Sequence, residues 1–294
     1  MEEMAFDTAL TRMLGIRYPI IQGAFGPKGM GTSRIAVPVS EAGGLGIMTS
    51  ISYKDPDEFQ QDIRDAKTRT EKPFGVNFSL FKDRGILEDH HEAYVKIALE
   101  EGVWIIFTSA YDGSAIGRRC KAEGCIWIHK CAAIEHAVST ARKGADAIVL
   151  VGFEGTGFKS PLQNSTLINI TATRKLIDTP LIAAGGIGDA RGFVGALAMG
   201  AAAVYLGTAM MATQEFQASG ALKRAIVEQS VLDADYRRKV YQMGHGIKHS
   251  LASTVIESIP TVDQFIRNMI EESEEIIAGL ARMNLSKGGE NAST

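Results

Sequence analysis

Eight short apolar runs recur along this 294-residue chain, separated by seven segments of helical periodicity. The runs are Tyr18–Gln22, Leu45–Thr49, Phe74–Ser79, Trp104–Ser109, Ile126–Lys130, Ala147–Val151, Leu181–Ala184 and Ala203–Leu206. Between them lie Ser33–Ala42, Asp55–Thr68, Ala93–Glu101, Ser114–Ala122, Ala132–Lys143, Leu167–Leu176 and Asp189–Met199. Strands that are apolar on both faces and alternate with helices belong to a parallel sheet covered by helices. Eight such units argue closure, so the expected fold class is α/β, a (β/α)8 barrel. Glycine follows several of the helices, as in Ala42-Gly43-Gly44, Glu101-Gly102, Glu123-Gly124 and Lys143-Gly144, where a helix stop is expected.

The barrel is expected to occupy residues 1–212. The pattern then changes: residues 213–250 are helical and polar, and because they follow strand 8 they are expected to form a small lid on the catalytic face. Residues 251–285 contain Pro260 and the amphipathic run Val262–Leu280, expected as the closing barrel helix. The polar tail 286–294 is expected to be disordered.

A net charge of −3 gives no electrostatic reason to expect nucleic acid or an anionic membrane as partner. No apolar stretch approaches a bilayer span, and the first residues lack the basic start of a signal peptide, so a cytoplasmic protein is expected. Cys120, Cys125 and Cys131 are odd in number and lie in or beside apolar segments, which suits reduced thiols. Cys120 and Cys125 lack the second pair a zinc site needs, so no metal is expected. A homo-oligomer is left open.

In such a barrel the active site lies at the strand carboxyl ends. Strands 7 and 8 end in Pro180-Leu-Ile-Ala-Ala-Gly-Gly-Ile-Gly188 and Ala203-Val-Tyr-Leu-Gly-Thr208. Glycines after a strand are often only turn residues, but two such ends side by side expose backbone amides to an anion. Gly185, Gly186, Gly207 and Thr208 thus form a candidate phosphate site. Gly23 and Ala24 after strand 1 would let a flat ligand approach, and Phe25 could stack on it. Asn77 on strand 3 could donate to and accept from a heterocycle edge, although strand-end amides are often satisfied by the protein itself. Lys130 is a cation at the end of an apolar strand, a placement uncommon without a partner. An amide, a lysine and a phosphate cup around one mouth suggest flavin mononucleotide (FMN), the lysine suiting the charge on the pyrimidine side of a reduced flavin.

Several motifs carry a resemblance. Pro19-Ile-Ile-Gln-Gly-Ala24, Ser40-Glu-Ala-Gly-Gly-Leu-Gly46, Gly75-Val-Asn77, Gly152-Phe-Glu154, Ala183-Ala-Gly-Gly-Ile187, Leu206-Gly-Thr208 and Ala212-Thr-Gln-Glu215 occur in order. Together the chain resembles the nitronate monooxygenase (formerly 2-nitropropane dioxygenase) family, which the flavin-type enoyl-acyl-carrier-protein reductases resemble closely. The resemblance implies an FMN-binding barrel with a small lid. It assigns FMN contacts to Gly23, Ala24, Asn77, Lys130, Gly157, Gly185, Gly186, Gly207 and Thr208.

The strand-6 loop departs from the family. Where the family reads Glu-x-x-Gly-His, this chain reads Glu154-Gly-Thr-Gly-Phe158, and a phenyl ring transfers no proton. Four substitutes are available: Lys159 in the same loop, His129 beside Lys130, and His245 and His249 from the lid. His129 is expected to point away from Lys130 into the helix layer, and His90, His91 and His136 are expected to be solvated.

Three functions follow. The first is an FMN oxidoreductase acting at the α,β-carbons of an acyl or enoyl thioester, a CoA thioester being one candidate and NAD(P)H a candidate co-substrate. The second is a nitronate monooxygenase, since a preformed nitronate needs no base. The third is a catalytically silent flavin-binding protein.

Overall fold

The computed structural model describes residues 6–26, 29–81, 85–86, 88–157, 164–241 and 250–285. Its eight strands are β1 (Ile20–Gln22), β2 (Gly46–Thr49), β3 (Phe74–Leu80), β4 (Ile105–Ala110), β5 (Ile126–Cys131), β6 (Ala147–Val151), β7 (Leu181–Ala184) and β8 (Ala203–Leu206). All neighbouring pairs are parallel, in the order β1-β8-β7-β6-β5-β4-β3-β2. The ring closes between β1 and the residue before β2. There the Gln22 amide donates to Leu45 O (2.9 Å) and the Leu45 amide to Ile20 O (2.9 Å). The eight-stranded (β/α) barrel expected from the alternation is the observed fold.

The seam between β1 and β2 is finished by a side chain. Gln22 is fully buried; its Nε2 donates to Ile47 O (2.9 Å) and Gly23 O (3.0 Å), and its Oε1 accepts from Ile47 N (3.0 Å). This one amide satisfies both backbone groups of Ile47 where a neighbouring strand would otherwise do so.

Helices α2 (Ser33–Glu41), α3 (Pro56–Arg69), α4 (Glu88–Glu100), α5 (Ser114–Ala122), α6 (Ile134–Arg142), α7 (Thr166–Thr173) and α8 (Ala190–Ala198) follow β1 to β7 in turn. After β8 come α9 (Thr208–Met211), α10 (Gly220–Val227), α11 (Ala234–Tyr241), a 3-10 turn (Leu251–Val255) and α12 (Val262–Leu285). The last packs on α8 and α2, as a closing helix does. The helix before β1, α1 (Ala9–Leu14), lends Leu10 and Leu14 to the barrel interior and so plugs its amino end.

Strand alternation sorts the core. Ile21, Ile47, Ile105, Phe107, Ile128, Ala147, Val149, Ile182 and Ala203 fill the interior. Met48, Val76, Phe78 and Ile106 meet the helices on one side, and Ile20, Trp127, Ile148, Leu150 and Val204 on the other. Close packing fixes some glycines: a Cβ at Gly117 of α5 would lie 2.1 Å from the Trp127 ring, and one at Gly46 1.9 Å from Ala36 O. Cys120 and Cys125 are buried on either side of the α5 stop, where the Cys125 amide donates to Cys120 O (3.1 Å) and that of Gly124 to Lys121 O (3.0 Å). That pattern is a Schellman stop with the two thiols as its apolar clasp.

One expectation about histidines is corrected. His90 and His136 are exposed, but His91 has no accessible surface. Helix α4 begins at Glu88 rather than near Ala93, so His91 falls on its inner face. Among the described residues, no helix is long and apolar enough to cross a membrane.

Candidate active site

The alternation that sorts the core also decides what reaches the carboxyl mouth. On β5, Trp127 packs outward and Ile128 inward, so Lys130 faces inward one rung above Ile128. The same parity places Thr49 above Ile47 on β2 and Ser109 above Phe107 on β4. It also turns Asn77 and Ser79 inward on β3, whose Val76, Phe78 and Leu80 face the helices. Thr49 pairs in register with Asn77, Ser79 with Ser109, and Ser109 with Lys130. Four neighbouring strands therefore present a polar arc above an apolar interior.

Hydrogen bonds within the arc are incomplete. Asn77 Nδ2 donates to Ser79 Oγ (2.8 Å), and Ser79 Oγ lies 3.1 Å from Ser109 Oγ. Among the described residues, Asn77 Oδ1 and Thr49 Oγ1 are buried with no partner. An unmatched buried polar atom costs about 1–3 kcal/mol, which a ligand presenting the complementary group would return. Lys130 has no carboxylate within ion-pair distance among the described residues, and burial pulls its pKa down.

The opposite half of the mouth is backbone. Gly185 and Gly186 have φ of 99° and 76°, in the left-handed region that side chains disfavour. A Cβ at Gly185 would lie 2.9 Å from Gly155 N, and one at Gly23 2.9 Å from Gly207 Cα. A Cβ at Gly207 would instead meet nothing within 4 Å among the described residues, so this glycine borders ground they leave open. The same holds for Gly157, with φ of 86°. Thr208 is buried, its hydroxyl 2.9 Å from Ser250 Oγ, which ties the segment after α11 to the end of β8. The Ala24 amide donates to Tyr205 Oη (2.6 Å). Phe25 is buried with its ring tilted against Phe216, centroids 4.5 Å apart.

Glu154 holds these loops together. Its carboxylate accepts from Thr166 N (2.9 Å) and Thr166 Oγ1 (3.0 Å), and Thr166 Oγ1 also lies 2.9 Å from Gly185 O. Its backbone O accepts from Leu251 N (3.0 Å). The β6 loop, the start of α7, the β7 loop and the returning segment thus meet at one acidic residue.

His129 faces the helices as expected. Its Nδ1 is 2.8 Å from Thr108 Oγ1, which also accepts from Trp127 Nε1 (2.8 Å), and burial lowers its pKa to about 4. His91 is likewise held to about 4 by burial; its Nε2 meets Ser79 O (2.8 Å) and its Nδ1 Ser50 Oγ (3.3 Å). The neutral ring therefore braces the strand that carries Asn77 and Ser79. Among the described residues no group of His, Cys, Asp and Glu could hold a metal ion. Lys159, His245, His249 and Phe158 lie outside the described residues.

Thus the barrel gathers Gly23, Ala24, Asn77, Lys130, Gly157, Gly185, Gly186, Gly207 and Thr208 at one end. Sequence reasoning missed Thr49, Ser79, Ser109, Tyr205 and the brace His91. A signal for three of them was present: the runs ending at Thr49, Ser79 and Ser109 each close on a small hydroxyl residue of inward parity.

Residues 7–288 match the family model described as nitronate monooxygenase. A (3aS,4S,5R,7aS)-5-hydroxy-7a-methyl-1-oxo-octahydro-1H-indene-4-carboxyl-CoA dehydrogenase from Rhodococcus jostii is 32% identical over 82% of this chain and 65% of its own length. The chain therefore spans just under two thirds of that relative. The enzyme of the same description from Mycobacterium tuberculosis is 30% identical over 87% of this chain and 70% of its own. The structure of FabK from Thermotoga maritima superposes with a TM-score of 0.81 at 28% identity, covering 94% of this chain and 99% of that one. A nitroalkane oxidase from Streptomyces ansochromogenes (TM-score 0.78, 21% identity, covering 92% and 100%) shares the fold. With a polar arc facing a glycine arc at the barrel mouth and a family match over nearly its whole length, this chain belongs to the nitronate monooxygenase family of oxidoreductases.

Proposed function

We propose that the chain binds FMN across the barrel mouth and acts at the α,β-carbons of an acyl or enoyl thioester, by reduction or desaturation. The observation that carries the cofactor is the pair of buried atoms unmatched among the described residues, Asn77 Oδ1 and Thr49 Oγ1, near Lys130 and opposite the open ground at Gly207. These fit a ligand with a hydrogen-bonding ring at one end and a phosphate at the other. Asn77 and Lys130 would meet the ring edge, Gly23 and Ala24 would lie along its face, and Gly157, Gly185, Gly186, Gly207 and Thr208 would hold the phosphate. Phe25 would contribute its backbone, since its ring packs on Phe216. Bound there, the flavin would supply two-electron chemistry; the protein orients it and meets the charge at its ring edge.

The thioester reading rests on the two relatives named as carboxyl-CoA dehydrogenases and on the resemblance to flavin-type enoyl reductases. A carbocyclic acyl-CoA is the substrate class those names favour. The histidine of the strand-6 loop is replaced by Phe158, so the proton falls to another group, with Lys159, His245 and His249 as loop and lid candidates. The family model and relatives named as probable nitronate monooxygenases favour a second reading, oxidation of nitronates by O2.

Anaerobic titration of FMN-loaded protein separates the two. Bleaching of the flavin by a saturated acyl-CoA, or by NADH or NADPH with reoxidation by an enoyl-CoA, is expected. Oxygen uptake with propionate 3-nitronate and no response to any thioester or nicotinamide would establish the second reading. Failure to take up FMN would sink both.

A further inference from the structure

The segment that returns to the barrel after α11 is built into the backbone half of the mouth. Leu251 N donates to Glu154 O (3.0 Å), which ties the 3-10 turn to the loop after β6. A Cβ at Gly188 would lie 3.0 Å from Ile256 Cγ1 and 3.1 Å from Ala252 O, so the same segment packs on the loop after β7. Ser250, the residue before the turn, is fastened at every polar atom. Its N donates to Thr208 Oγ1 (2.9 Å), and its Oγ lies 2.9 Å from the same oxygen. Its O accepts from Tyr236 Oη of α11 (2.8 Å) and from Ser253 Oγ (2.9 Å). One hydrogen-bonded path thus runs from the end of β8 to α11, in the stretch expected as a lid.

The two hydroxyls on that path hold one proton more than they use. Thr208 Oγ1 accepts from Ser250 N, and Ser250 Oγ accepts from Ala252 N (3.2 Å). One hydroxyl proton lies between the two oxygens, in whichever direction it is donated. The other has no acceptor among the described residues, although Thr208 and Ser250 are only 4% and 5% exposed. The amide of Gly207, next in the chain to Thr208, and those of Gly185 and Gly186 likewise donate to no acceptor among the described residues. A surplus of buried donors calls for a ligand that only accepts, and a phosphate monoester carries three such oxygens.

We propose that the phosphate of FMN takes the spare proton of the Thr208–Ser250 hydroxyl pair, so that barrel and lid share the phosphate and cofactor binding fastens α11 in place. This rests on the FMN reading above and makes Ser250 a binding residue outside the glycine motifs. Either hydroxyl can make the donation. With Ser250 donating to Thr208, Thr208 gives its own proton to the phosphate; in the reverse order Ser250 does. The pair therefore acts as one donor held by two residues. Such coupling is reciprocal, so whatever steadies α11 through Tyr236 and Ser250 also tightens the cofactor at its phosphate. Riboflavin, with the same ring and no phosphate, gains neither effect.

The test compares FMN with riboflavin on protein freed of cofactor, by quenching of flavin fluorescence; the ratio of the two affinities isolates the phosphate. Ser250→Ala or Thr208→Val leaves one hydroxyl able to donate, so each is expected to lower that ratio by less than about threefold. The double variant leaves none and is expected to lower it by about 10- to 100-fold, the loss of a hydrogen bond to a charged group. Riboflavin uptake reports that the double variant is folded. A second measurement needs no variant: in wild type, saturating FMN is expected to slow hydrogen–deuterium exchange of the α11 amides by at least about fivefold, and riboflavin is not. An unchanged ratio in the double variant, single losses that multiply to the double loss, or equal slowing of α11 by both flavins would overturn the proposal. A wild type that takes up neither flavin would instead bring down the FMN reading itself.

Discussion

The two halves of the barrel mouth solve the same problem with different parts. From β2 to β5 the rim is made of side chains: Thr49, Asn77, Ser79, Ser109 and Lys130. From β6 round to β1 it is made of backbone bent into shapes that glycine favours, clamped by Glu154 and Thr166. The side-chain half is chemically particular, and its cost is visible as two unmatched polar atoms. The backbone half is sterically particular, and its cost is visible as positive φ and Cβ positions already filled. Changes of polarity should therefore act on the first half and additions of volume on the second.

Acid should strike the side-chain half hardest. His91 has a folded pKa of about 4, against about 6.5 when free, so between these values the unfolded chain binds more protons. Its contribution is present above about pH 6.5 and is lost as pH falls toward 4, roughly 3 kcal/mol in all, and His129 adds to the same window. Urea unfolding at pH 7 and pH 4.5 should show His91→Gln with a smaller pH difference than wild type. An unchanged difference would mean that His91 does not brace β3 as described.

On the glycine side, position decides the outcome. Gly185→Ala should lower stability by about 2–3 kcal/mol, because its Cβ meets Gly155 N and its φ is left-handed. Gly207→Ala should leave the melting temperature of the ligand-free protein unchanged and weaken FMN binding by about 10- to 100-fold, since its Cβ would enter only the space assigned to ligand. Unchanged affinity in Gly207→Ala would place the phosphate elsewhere.

The smallest effect separates ligand from fold on the polar side. Thr49→Val removes an unmatched hydroxyl at nearly constant shape, so ligand-free stability should rise by about 1 kcal/mol while FMN affinity falls by up to about tenfold. Calorimetry with and without FMN measures both. Effects of the same sign would show that Thr49 does not face the cofactor.

Much of this was legible in the sequence because a parallel barrel writes each unit as one apolar run and one periodic segment. The end of each run also marks where its strand delivers a side chain, which is how Asn77 and Lys130 could be singled out. Thr49, Ser79 and Ser109 were not, because a strand-terminal serine looks like a turn residue until parity is counted from the apolar positions below it. His91 was hidden for a different reason. The first turn of α4, Glu-Asp-His-His-Glu, carries no apolar period, and only its docking against Ser50 and Ser79 makes one face internal. Tyr205 lay inside a recognised motif, but its contact with Ala24 joins residues 181 positions apart, which no local pattern reveals.

The seam at Gln22 gives the barrel a property that seven of its joints lack. Elsewhere two strands part only if several backbone bonds break together. Between β1 and β2 one side-chain amide takes the place of a strand partner for both polar groups of Ile47, and above it the Thr49 amide donates to Gly31 O (2.8 Å) in the segment after β1. Gly23 and Thr49 stand on either side of that amide, one in each half of the mouth. The glycine wall and the hydroxyl wall are therefore stitched together, at their one common border, by the side chain of a single glutamine.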